Sequence, residues 1–189
     1  MLLIALFISA SAGDVVRWSV AKGSPDGVSV SANGDVVVVT RDAGHVIIFS
    51  PTGQIVKEIK LPSTLVSPRH AIRLGGNELL LCHGWGESAY NISVVDGEGR
   101  IIKSASPSAA APKSFSPTHL ALDRYGNILV AEFKGDAIQM YNKDLQYLGD
   151  VVPGSSGLKR PFRLCYDNTS GRLYIGEYST LGRMMIFNK

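Results

Sequence analysis

Residues Ser116–Tyr141 read SPTHLALDRYGNILVAEFKGDAIQMY. A proline opens an alternating stretch, His119-Leu120-Ala121-Leu122-Asp123, which ends at the turn Arg124-Tyr125-Gly126-Asn127. An apolar run, Ile128–Ala131, follows, then a polar loop, Glu132–Asp136, then a third alternating stretch, Ala137–Tyr141. Glycine and asparagine sit where a hairpin requires positive φ, so the segment predicts three short antiparallel strands.

The same pattern recurs. Anchor prolines at Pro25, Pro68, Pro117 and Pro161 are spaced by 43, 49 and 44 residues, and each is followed by a turn glycine: Gly34, Gly76, Gly126 and Gly171. Each glycine introduces an apolar strand, Val36–Val39, Leu79–Leu81, Ile128–Ala131 or Leu173–Gly176. A third strand comes next: His45–Phe49, Asn91–Val95, Ala137–Tyr141 or Arg183–Phe187. The long second spacing is assigned to two loop insertions, Trp85–Tyr90 and Ser104–Ser114. A period in the forties with short strands is the signature of an all-β protein, a β-propeller of four-stranded antiparallel blades. With strands named A to D from the axis outward, strand B is expected to be buried on both faces and strand C to alternate.

The opening residues, MLLIALFISASAGDVVRWSV, match the strand, small-residue loop and strand of RLYIGEYSTLGRMMIFNK. They read as the tail of a blade. The alternative is a secretory signal ending near Ala12, but it has no basic flank. The expected division is a partial blade at 1–23, blades at 24–66, 67–115 and 116–159, and a last blade at 160–189 without its outer strand. That makes an incomplete propeller of about four and a half blades. The formal charge of +3 comes from scattered residues with no polybasic run, which gives no sign of a membrane surface. Cys82 and Cys165 lack metal-ligand spacing and are expected to be buried free thiols, in keeping with a cytoplasmic chain; a secreted one would require Met1–Ala12 to be a signal.

The pattern P-x-H-L-x-x-D, x-x-G-N-I-x-V-A-[DE], A-I-x-x-[YF] resembles the NHL repeat, best in Pro117–Tyr141 and next in Pro161–Phe187. Nearly the whole chain is similar to the NHL propellers of invertebrate proteins, some of them attached to tripartite-motif ubiquitin ligases, and that resemblance implies a ring of about six blades, of which about four and a half are present. That resemblance implies an interaction module presenting its loops to a partner. Ligase activity cannot be carried over, because this sequence has no RING or B-box cysteine/histidine array.

Equivalent residues of successive blades form rings about the axis. Two residues after each anchor proline stand Gly27, His70, His119 and Arg163; six after each turn glycine stand Thr40, Cys82, Glu132 and Glu177. His70 with His119, or Glu132 with Glu177, are the candidate ligands for a metal, as in the peptide-amidating lyases and propeller lactonases that this fold resembles. Arg163 in the first ring opposes a cation, and the second ring makes a poor oxygen cage. Both are therefore read as structural: histidines bonding loop carbonyls, and carboxylates tethering a loop through backbone N–H groups.

No nucleophile elbow, zinc-protease helix, phosphate loop or dinucleotide fingerprint is present. The sequence therefore predicts a non-catalytic module with no cofactor, a protein partner and no identified small-molecule substrate. Its expected contacts are Arg69, His70, Trp85, Lys113, His119, Arg160 and Arg163. Single-stranded RNA is the second partner class, with Trp85 and Phe115 as stacking groups. A metal-dependent propeller hydrolase or lyase is the third reading.

Overall fold

The computed structural model describes residues 4–5, 17–18, 20, 23–85, 88–105, 115–179 and 182–188, with the side chains at 4–5, 17–18, 85 and 88–89 left aside. A two-residue strand, β1 (Ile4–Ala5), pairs with β2 (Arg17–Trp18). The rest of the readings for 1–23 fall outside the described residues. The first full sheet contains β3 (Pro25–Val30), β4 (Val36–Thr40), β5 (His45–Phe49) and β6 (Ile55–Lys60). The second contains β7 (His70–Gly75), β8 (Glu78–Trp85), β9 (Ser88–Val95) and β10 (Ile101–Ser104). The third contains β11 (Pro117–Leu122), β12 (Ile128–Glu132), β13 (Ala137–Tyr141) and β14 (Tyr147–Val152). A short 3-10 turn (Gly154–Ser156) leads to the fourth, with β15 (Pro161–Asp167), β16 (Arg172–Glu177) and β17 (Met184–Asn188).

Every sheet is an antiparallel meander in chain order. The first strands abut in series, β3 on β7, β7 on β11 and β11 on β15, which makes the sheets blades of a β-propeller with strand A innermost. Among the described residues no helix is long and apolar enough to cross a membrane.

The core lies between blades, not within one. Leu79 and Leu81 of β8 pack with Val37, Val39 and Val46 of the first blade, while Leu80 and Cys82 pack with Leu120, Ile128 and Val130 of the third. Because successive side chains of a strand point to opposite faces, a strand between two blades must be apolar at every position. That is the physical origin of the runs VVVV, LLL and ILVA. In β16 the burial alternates, with Leu173, Ile175 and Glu177 inside, since among the described residues just one of its faces is covered by a neighbouring sheet.

Four expectations are corrected. Strands β5 and β13 are buried at all but one position each instead of alternating, because strand C is also sandwiched between blades. Trp85–Tyr90 is not a loop insertion: β8 and β9 extend as a hairpin in which Trp85 pairs with Ser88. The bend that permits this falls at Gly84, whose φ is 123°. A Cβ there would come 2.4 Å from Tyr90 Cα. Cys165 is exposed, although Cys82 is buried and free, because β15 has an open outer face. Phe115 packs on Tyr141 at 6.2 Å between centroids and is no stacking platform.

Gly27 is a further constraint on the axis. It takes the ring position that carries histidine in the next two blades, and a Cβ there would lie 2.2 Å from the Arg69 carbonyl oxygen. The close approach of β3 to β7 sets this limit, as does the bond between His70 Nε2 and the Val28 carbonyl at 3.2 Å. Gly27→Ala is expected to force the two strands apart and cost about 1–3 kcal/mol. Urea denaturation of the variant measures this, and an unchanged midpoint would show that the strands do not press together.

Candidate functional site at the axial mouth

The first turn of strand A carries a β-bulge in three blades, between Pro25 and Gly27, Pro117 and His119, and Pro161 and Arg163. Bulges re-aim side chains and gather beside functional sites. Here they follow the anchor prolines, which cannot donate to the ladder.

The structure brings His70 and His119 into direct stacking, with ring centroids 3.7 Å apart and planes inclined by 21°. His70 is buried, and both its nitrogens are used. The Leu120 N–H donates to Nδ1 at 3.3 Å, so the proton resides on Nε2, which donates to the Val28 carbonyl. His119 repeats half of the arrangement, because its Nδ1 accepts the Leu164 N–H at 3.3 Å. That leaves Nε2–H as the donor of a partly exposed ring. Each imidazole thus stitches its own strand A to that of the next blade. Burial pushes His70 down to about 4, helped by the Arg163 charge. Burial, His70 and Arg163 together push His119 to about 2. Two stacked rings that cannot both be charged are held neutral.

Arg163 is close enough to feel Asp26, Cys82 and Arg69, and desolvation holds its guanidinium below the ordinary value. It is nonetheless surface-exposed, lying 4.1 Å over the Phe162 ring with Nη1 donating to the Phe162 carbonyl. Cys82, beneath His70, is pushed by burial to about 12 and is chemically quiet. The mouth therefore gathers Asp26, Arg69, His70, His119 and Arg163. Of the other predicted contacts, Arg160 belongs to a tether: its N–H donates to Asp136 Oδ1 at 2.7 Å, and Lys159 pairs with Oδ2 at 2.8 Å. Lys113 and the Trp85 side chain lie outside the described residues. His83 is a packing group, buried and bonded through Nε2 to Ser93 Oγ at 2.8 Å.

The carboxylate ring serves the loops. Glu132 is fully buried and accepts the N–H groups of Ser116, at 2.5 Å, and of Gly135. Burial raises its carboxyl above the ordinary range, and those same bonds work against the rise. Glu177 accepts the Lys159 N–H at 2.8 Å and pairs with Arg183 at 3.0 Å. Among the described residues no group of three or more His, Cys, Asp or Glu side chains is placed to hold a metal ion. His70 has no lone pair to offer and Glu132 has both oxygens engaged, so these residues do not fit a cation.

A feature missed by the sequence reading is an aromatic triangle. Phe133, Phe162 and Tyr178 lie 6.3, 5.8 and 5.4 Å apart, pair by pair, with tilted or edge-to-face rings. Comparing the residue after each anchor proline (Asp26, Arg69, Thr118, Phe162) with the residue after each strand B terminus (Arg41, His83, Phe133, Tyr178) would have exposed it.

Residues 7–80 match the family model of the SMP-30/gluconolactonase/LRE-like region. Among solved structures the chain is similar to virginiamycin B lyase from Staphylococcus aureus, at 20% identity over 87% of this chain and 55% of that one, with a TM-score of 0.57. A streptogramin B lyase is 17% identical over 90% of this chain and 56% of that one, with a TM-score of 0.61. A catalytically inactive histidine-to-alanine form of the S. aureus lyase with quinupristin gives 18%, 100%, 59% and 0.58 for the same quantities. The chain thus spans somewhat over half the length of these structures. No curated protein matches it. At these identities the structures establish the fold alone. The expectation of a non-catalytic propeller is overturned by the family match, since the model that residues 7–80 fit is named for a gluconolactonase.

Proposed function

We propose that this chain belongs to a propeller enzyme of the hydrolase or lyase type, acting on an ester or lactone linkage at the axial mouth. The observation that carries the reading is the His119 imidazole. It is held neutral with its proton on Nε2, stacked on His70, and next to Arg163. A neutral N–H donor and a partly desolvated guanidinium suit an oxygen on which negative charge develops, and such fixed donors are worth several kcal/mol of barrier. In this reading Arg69, His119 and Arg163 bind and stabilise; none of them takes up a proton, since His119 is far too weak a base at neutral pH. No step is routed through a metal. Support comes from the family match over residues 7–80 and from the lyase of similar fold, whose histidine-to-alanine form is catalytically inactive.

The test is turnover of a panel of lactones and aryl esters by the purified chain, compared with His119→Gln and Arg163→Gln. Loss of about a hundredfold in kcat with each, at unchanged thermal stability, is the expected result. Equal turnover by the variants would remove these residues from the chemistry.

A further inference from the structure

The four copies of the repeat do not build a symmetric mouth. At the two positions flanking strand A, the first two blades carry Asp26, Arg41, Arg69 and His83, whereas the third and fourth carry Phe133, Phe162 and Tyr178 with Thr118. Asp26 is already engaged, 3.7 Å from Arg41. One side of the opening is thus polar and the other aromatic, and Arg163 joins them, its guanidinium over Phe162 and its charge felt by both stacked histidines.

The aromatic side is a fixed platform. The Phe133 N–H donates to the Ser116 carbonyl at 3.0 Å and the Tyr178 N–H to the Arg160 carbonyl at 2.9 Å, so both residues are bonded to the segment that enters strand A of their own blade. Phe162 is the extra residue of the β15 bulge. Tyr178 remains 59% exposed and Phe133 and Phe162 partly so, although three mutually touching rings would ordinarily be driven inside. The carboxylates of the adjoining loops are spent: Glu132 and Glu177 on backbone N–H groups, Asp136 on Lys159 and the Arg160 N–H. What this leaves facing a ligand is ring surface beside an exposed guanidinium.

We propose that Phe133, Phe162 and Tyr178 form the subsite for the aryl group of an arylalkyl ester or carboxylate whose oxygens are held by Arg163 and the His119 Nε2–H. This rests on the reading of the mouth given above and adds the substrate class. Stacking on the rings holds the apolar end, and the cation and N–H donor fix the oxygens, so the ligand must be amphipathic.

The probe is phenylacetate, with acetate and cyclohexylacetate as comparisons, followed by saturation-transfer NMR on the full chain. The expected result is transfer to the phenyl protons, weaker binding of cyclohexylacetate and none of acetate. Phenylacetate affinity should fall by about tenfold in Tyr178→Ser. Tyr178→Leu, which keeps apolar bulk without a ring, is the second variant and should lose a similar factor. Acetate binding as well as phenylacetate, or both Tyr178 variants binding it unchanged, would overturn the proposal. So would displacement of phenylacetate by mixed single-stranded oligonucleotides at physiological salt, which would make the rings a nucleic-acid surface. Failure of the subsite is distinguishable from failure of the enzymatic reading. Turnover dependent on His119 without phenylacetate binding overturns the subsite alone; phenylacetate binding lost in the Tyr178 variants without any ester turnover supports the subsite and removes the enzyme.

Discussion

Leu80→Asp is expected to abolish cooperative folding of this chain. Leu80 has no exposed surface and sits in the middle of β8, paired to Ile72 on one side and Val94 on the other. Its side chain enters the core between the second and third blades with Ile92, Leu120 and Ile128. Among the described residues a carboxylate there meets apolar side chains and no free backbone N–H, since β8 is laddered on both sides. It would either ionise at a cost of several kcal/mol or stay protonated with its hydrogen bonds unmade. Removal of the leucine adds about 2–5 kcal/mol for the lost packing. The sum approaches the whole stability of a domain of this size. Circular dichroism with urea titration checks it. A Leu80→Asp chain with a native-like transition would mean that strand B is not sandwiched between blades.

The second large effect is on pH. In the unfolded chain an imidazole takes up its proton near 6.5. In the folded chain burial delays this to about 4 for His70 and His83, and to about 2 for His119. Between those values the unfolded state holds more protons, so stability is complete above about pH 6.5 and is lost as pH falls towards 4. Each histidine removes about 1.4 kcal/mol per pH unit in that interval, or roughly 2 kcal/mol between pH 7 and 5. Glu132, whose carboxyl is raised by burial, acts in the opposite sense at the lower end. The aspartates of the turns, Asp42, Asp96 and Asp167, are lowered by hydrogen bonds and lose their contribution at still lower pH. Urea midpoints at pH 7, 6 and 5 should fall steeply. His83→Gln, able to keep a bond to Ser93, should flatten the slope by one histidine. A midpoint independent of pH over this range would show that the histidines are solvated.

These effects also show where the sequence was informative. Prolines and turn glycines mark strand ends because each is restricted or permissive in φ, so β5 and β13 were readable to the residue and the propeller followed from the period. The hairpin at Trp85 was not readable, since a Gly-x-Gly segment is as compatible with a loop as with a bent strand. Nor was the near-complete burial of β5 and β13 predictable, because it depends on how far a neighbouring blade overlaps strand C. At the mouth the ring of Gly27, His70, His119 and Arg163 could be aligned by counting. The proton positions could not, because they depend on N–H groups from the next blade, 45 to 50 residues away. The aromatic triangle combines a bulge residue with two loop residues, and bulges leave no signature in a strand pattern.

The central claim is that His119 is a neutral imidazole donating from Nε2 at the reactive mouth. Nitrogen-detected NMR of the labelled His119 ring, titrated from pH 8 to 5 with and without phenylacetate, tests it most directly. The account predicts a protonated Nε2 and a bare Nδ1 throughout, with the Nε2 resonance shifting when the carboxylate binds. A ring that becomes imidazolium near pH 6.5, or an Nε2 indifferent to the ligand, would contradict it.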